Sequence, residues 1–304
     1  AIYNPRLTTL AECESNRGFR YVAGRMVLAL LSSDHRITGI RYLDTSTQEI
    51  REEPCDVVFL AAGALQTGAI FLRTLKAARV EVELHTEGLL DTAVVKVPFV
   101  SLASVGRPSD ARSFQFNRLI LGVIGASPPW PRYLHGELLH LTSLLYYPLI
   151  ERMPFDSRLS KKLFFALRPA LGVATLFFPD RVTTGNRQEL VDDRKPWDTV
   201  RLRYRESADK EDYIRQSVSR VRSALRQLNC LPRGVARSPS GAGIHYAGTV
   251  PMGDGPKRCD PGGRSNLFPN LYIADGAAFP SLPSKSITMS LAAHATRVAQ
   301  SAKL

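Results

Sequence analysis

The chain has 304 residues, 44% of them hydrophobic and 22% charged, enough apolar material for one large core or two smaller ones. A net charge of +12 favours phosphates, acidic sugars or anionic lipid headgroups, but the basic residues are dispersed among apolar segments without an aromatic-interleaved patch, which argues against nucleic-acid binding. Cys13, Cys55, Cys230 and Cys259 form no C-x-x-C pair, so neither a zinc site nor a disulfide framework is expected.

The chain opens at Ala1 with no charged segment followed by an apolar leader, so it reads as processed or truncated. A soluble protein is expected, and the sequence leaves a cytoplasmic or periplasmic location open. Residues 20–31 and 36–43 flank the turn formers Ser32, Ser33, Asp34 and His35, which predicts a β-hairpin or meander. The continuous apolar run 56–63 then fits a strand buried on both faces, as in a parallel sheet, and 67–76 reads as the helix after it.

Between about 81 and 240 the Pro and aromatic content rises and apolar segments alternate with loops. This predicts a second domain over 81–240, with 1–80 and 241–304 together forming the first. The stretches 138–150 and 163–178 are the most apolar, but neither reaches the ~20 residues of a spanning helix, and the second contains Arg168 and Pro169. They read as core helices, with a peripheral membrane contact as the alternative.

In 209–229 Ile214, Val218, Val221, Leu225 and Leu228 recur at helical spacing, with Ser207 as the N-cap and Arg215, Arg222 and Arg226 on a solvated face. A short strand over 270–274 and a helix over 286–301 close the chain, the helix carrying Ile287, Leu291, Ala295 and Val298 on one face.

Three ordered segments carry the chemistry. Ile244-His245-Tyr246-Ala247-Gly248-Thr249 runs on to Met252-Gly253; Asn270-Leu271-Tyr272-Ile273-Ala274-Asp275-Gly276-Ala277 leads to Phe279-Pro280; and Ser284-Lys285-Ser286-Ile287-Thr288 opens the last helix. Upstream, Ala61-Ala62-Gly63-Ala64 precedes Thr67-Gly68 at a strand-to-helix turn. Read alone, His245 is an imidazole suited to proton transfer near neutral pH, and Gly241 and Gly243 permit an irregular approach to it.

Together these segments resemble the C-terminal portion of the glucose-methanol-choline (GMC) oxidoreductase family. The resemblance covers about the first ninety and last sixty-five residues, and the middle is matched only by position. It implies an α/β fold, α+β overall, in which an incomplete FAD-binding Rossmann-like domain packs on a substrate domain of mostly antiparallel sheet and helices. It also implies FAD as cofactor and oxidation of a CH–OH group in a sugar, polyol or other alcohol, with hydride passing to flavin N5 and His245 as base.

By the same resemblance Asp275, Gly276 and Ala277 contact the cofactor, Ser286, Ile287 and Thr288 lie at the flavin's pyrimidine side, and Ala62 and Gly63 approach its diphosphate or ribose. Val27 touches the adenine by position.

The chain departs from the family in two places. Ser284, with Ser286 as the alternative, stands where a second His or an Asn is usual, so the catalytic pair is His245 and Ser284. His294 lies about 15 Å further along the helix and does not replace it. No G-x-G-x-x-G follows an N-terminal strand, so the nucleotide-binding segment is missing unless a second chain supplies it. The alternative function is a non-catalytic binding or interaction protein built on the same fold.

Overall fold

The computed structural model describes residues 4–108, 119–124, 130–140, 147–191, 197–243 and 245–302. A short exposed helix, α1 (Thr9–Glu14), precedes an antiparallel meander of β1 (Arg25–Ser33), β2 (Arg36–Asp44) and β3 (Ile50–Pro54). Asp34 and His35 make the β1–β2 turn at φ 48° and 59°, a left-handed pair that matches the twist of the strands it joins. β4 (Val58–Leu60) and α2 (Ala64–Ala77) follow as the sequence predicts, with α2 beginning three residues earlier than its apolar spacing suggests.

β5 (Leu90–Asp91) and β6 (Ala93–Ser101) lead to β7 (Leu119–Ile124), β8 (Tyr133–His140), α3 (Tyr147–Glu151), α4 (Ser157–Leu167) and β9 (Leu171–Phe178). Next come β10 (Asp180–Arg181), β11 (Arg187–Val191), β12 (Thr199–Arg203) and the long α5 (Ala208–Gln227). The chain closes with β13 (Cys230–Pro232), β14 (Ala236–Arg237), β15 (Tyr246–Ala247), β16 (Leu271–Ile273), β17 (Ser281–Leu282) and α6 (Thr288–Ser301).

The largest sheet has the order β13-β6-β9-β8-β7, with β14 also on β6, and every pairing in it is antiparallel. α5 lays Ile214, Val218, Val221 and Leu225 against Val95, Leu134, Leu176 and Phe178 of that sheet, and Trp130 stacks on Tyr213. A separate core joins Leu30, Phe71, Leu72, Leu75, Phe268 and Ile273. There α2 packs on the meander, and Thr74 Oγ1 accepts the Leu30 N–H at 2.9 Å.

β4 and β16 pair in parallel, Val58 to Leu271 through Leu60 to Ile273. This antiparallel sheet beside a parallel pair is the α/β, α+β architecture expected from the sequence.

Two expectations need correction. The apolar stretch 163–178 is not a helix throughout: Pro169 sits in a 3-10 turn that ends α4, and the chain continues as β9, an interior strand between β6 and β8. Likewise 138–150 is the end of β8 and the start of α3, with 141–146 outside the described residues. α6 buries His294 and Val298 but leaves Ala295 exposed, so its contact with the body is narrower than the apolar spacing suggests. No helix among the described residues is long and apolar enough to cross a membrane.

Candidate active site

The three C-terminal segments and the Ala62–Gly63 turn meet around one glycine. A Cβ built on Gly276 would lie 3.1 Å from Tyr246 O, 3.5 Å from Leu291 Cδ2 and 3.9 Å from Ala64 Cβ. β15, the first turn of α2 and the first turn of α6 therefore converge there. Gly248 N donates to Gly276 O at 3.1 Å and Val250 N to Ala277 O at 2.9 Å, which fixes β15 against the Asp275 turn. Leu90, Ala247, Phe279, Leu282 and Ile287 pack beneath as a small core.

Both helices present open N-termini. The N-cap of α2 is Gly63 at φ 84°, with no side-chain cap and no atom within 4 Å of its absent Cβ. Ile287 caps α6, again with no side-chain acceptor, and Thr288, Met289 and Ser290 are exposed. Uncapped amides and the positive end of the helix dipole favour negative charge. Two such ends beside a crowded glycine are suited to an extended anionic ligand.

Asp275 also has a structural job. Its Oδ2 accepts from Gly63 N at 2.8 Å and Thr67 Oγ1 at 2.6 Å, and its Oδ1 accepts from Ala277 N at 2.8 Å. The carboxylate thus ties the turn after β4 to the turn after β16. Burial pushes its pKa above the ordinary aspartate value, against the pull of those three donors.

His245 stands one residue before β15 and is half-buried. Its carbonyl accepts from Thr92 N at 3.3 Å, while its Nδ1 is buried without a hydrogen-bond partner. The loop before it is held by Asp91, whose Oδ2 accepts from Gly241 N at 2.7 Å.

Asp91 in turn belongs to a buried network. Its N–H donates to Asp180 Oδ2 at 2.9 Å, Lys210 Nζ lies 3.0 Å from Asp180 Oδ1, and Lys210 donates to Tyr204 Oη at 2.9 Å. Burial raises the Asp91 pKa against the Gly241 amide and Lys210, with Asp180 adding to the rise, and burial lowers that of Lys210 against the pull of Asp180 and Asp91.

Ser284 is buried at the floor of a cavity of about 660 Å³ whose walls include Trp130, Tyr133, Arg181 and Lys285. Its Oγ accepts the His135 N–H at 3.1 Å and keeps its own proton for a further acceptor. The Lys285 ammonium lies 5.4 Å from the Tyr133 ring centre and the Arg181 guanidinium 5.3 Å from that of Trp130.

The structure thus brings Ala62, Gly63, Asp275, Gly276, Ala277, Ile287 and Thr288 into one neighbourhood, with His245 at its edge. Ser286 is exposed in the turn that precedes α6. Val27 joins the group only through the first core, against which it packs from β1. His294 is a structural residue: Nε2 faces Ile273 O at 2.9 Å and Nδ1 faces Arg297 Nη2 at 3.2 Å.

Sequence reasoning missed Thr249, whose hydroxyl donates to Ala64 O at 2.6 Å, and the Asp91 clamp. Thr249 lies inside a motif already singled out. Asp91 carries no local signal.

Residues 186–295 match the family model described as GMC oxidoreductase. No curated protein matches the chain. Among solved structures it is similar to pyridoxine 4-oxidase from Mesorbium loti, at 16% identity and a TM-score of 0.56 over 91% of this chain and 56% of that one. It is also similar to an FAD-dependent oxidoreductase from Chaetomium thermophilum, at 15% identity and a TM-score of 0.60 over 95% of this chain and 62% of that one. The chain therefore has the fold of these proteins while spanning less than two thirds of their length.

Proposed function

We propose that this chain, whose residues 186–295 are a GMC oxidoreductase C-terminal segment, forms the catalytic part of an FAD-dependent oxidoreductase acting on the CH–OH group of a sugar, polyol or other alcohol. The observation that carries the reading is the convergence of β15 and the open N-termini of α2 and α6 on Gly276, one strand step from His245. Bound FAD supplies the hydride acceptor.

His245 removes the substrate hydroxyl proton, a task that a neutral imidazole can perform. Ser284 would donate a hydrogen bond to the substrate oxygen, keeping its own proton, and hold it in the cavity between Trp130 and Tyr133. With the Gly63 amide held by Asp275, the remaining amides of the first turn of α2 would receive the diphosphate, and those of Thr288 and Met289 would stabilise negative charge at the pyrimidine side. A G-x-G-x-x-G segment, from a second chain or a longer form of this one, completes the diphosphate end.

A second reading, a non-catalytic binding protein on the same scaffold, is favoured by Ser284, whose oxygen is already engaged by the His135 N–H.

The test is an absorbance spectrum of the folded chain after FAD addition and desalting, followed by an alcohol screen. Retained flavin bands and alcohol oxidation that falls at least ~100-fold in His245→Ala are expected. A folded chain that retains no flavin, alone or with the separately expressed nucleotide-binding segment of a relative, overturns the enzymatic reading and leaves the binding role.

A further inference from the structure

One step beyond the ladder pair Asp91–Tyr246, the residues that face each other across β5 and β15 are Thr92 and His245, and Thr92 N donates to His245 O at 3.3 Å. Facing residues in an antiparallel pair put their Cβ atoms about 4.5–5.5 Å apart on one side of the ladder. Thr92 is 1% exposed, and its Oγ1 has no hydrogen-bond partner. His245 Nδ1 is buried and has none either. Buried polar atoms in folded proteins are nearly always paired, so two orphans on opposed residues call for a common explanation.

The backbone around them is fixed. Asp91 holds Gly241 N at 2.7 Å, and Gly243 lies so close to Thr92 O and Asp91 Oδ1 that no Cβ fits between them. Closing the gap therefore falls to the side chains, by rotation of the threonine or the imidazole about χ1 or by one bridging water.

We infer that Thr92 is a positioning residue for His245, its hydroxyl oxygen accepting the Nδ1–H of the imidazole directly or through one water. The inference rests on His245 being the base. Polarity follows from that role. A threonine that donated to Nδ1 would place the ring proton on Nε2 and leave no lone pair for the substrate. A threonine that accepts from Nδ1–H leaves the Nε2 lone pair free. When Nε2 takes the hydroxyl proton, the imidazolium donates from both nitrogens, and the Thr92 bond persists without rearrangement.

Ring-tautomer NMR on the 15N-labelled full chain tests this, with His245→Gln assigning the signal among the six histidines. At a pH where the ring is neutral, wild type is expected to show the Nδ1–H form. Thr92→Val is expected to shift His245 toward Nε2–H, and Thr92→Ser to retain the wild-type form. Unchanged signals from the other histidines certify the fold of each variant.

A wild-type ring in the Nε2–H form overturns the inference whether or not any variant folds, and so does a Thr92→Val spectrum identical to wild type. The base assignment fails separately, through alcohol oxidation that survives His245→Ala, so the two failures are distinguishable.

Discussion

At the scale of single residues, Asp275 has the most to lose. It satisfies three donors, two of them buried, and Asp275→Asn turns an amide NH2 toward at least one of them, leaving that donor unpaired at a cost of about 2 kcal/mol. Urea unfolding measures that loss directly. Because burial holds its pKa above the ordinary value, the folded state binds a proton at pH values where the unfolded chain has released it. Its favourable contribution is complete below the ordinary aspartate pKa and is lost as pH rises through the raised one. The stability gap between wild type and Asp275→Asn is therefore expected to narrow with rising pH across that window. A gap that stays constant would show that Asp275 titrates as an exposed aspartate does.

At the scale of elements, α5 is pinned at its first turn by a buried ammonium: Lys210 is 1% exposed and lies against Asp180, Tyr204 and the Asp91 carbonyl. Lys210→Met leaves Asp180 buried without its cation, a change that typically costs about 3–5 kcal/mol. The urea midpoint is expected to fall accordingly, whereas a variant within 1 kcal/mol of wild type would mean that Asp180 reaches water.

Elements of this kind also mark the limit of sequence reading. α5 was legible because its apolar residues repeat at helical spacing, and the β1–β2 hairpin because turn formers separate two apolar runs. β9 was not, since its unbroken apolar run reads equally as a strand or as a buried helix. The candidate site divides in the same way. His245 and Asp275 stand in local motifs, whereas the Asp91 clamp, separated from Gly241 by 150 positions, exists only in three dimensions.

At the scale of the whole molecule, two large cores form independently of each other. One is built on α2 and the meander, the other on α5 and the six-stranded sheet. Each contains or borders one of the two tryptophans: Trp130 stacks on Tyr213 in the second core, and Trp197 lines a cavity with Leu28 and Arg73 beside the first. Separate cores of this size favour a departure from strict all-or-none unfolding. Fluorescence of Trp130→Phe is expected to report a different urea midpoint from fluorescence of Trp197→Phe. Coincident midpoints would show a single cooperative unit.

The Asp275 strut spans 212 positions to Gly63, so the pocket closes only when distant stretches of the chain find each other. Loop-closure entropy grows slowly with such a span, but non-local contacts form late in folding. A ligand that requires this junction therefore selects chains whose assembly is finished and stabilises them by mass action. Occupancy of the site would then act as a folding checkpoint, and cofactor supply would set how much of the protein survives quality control.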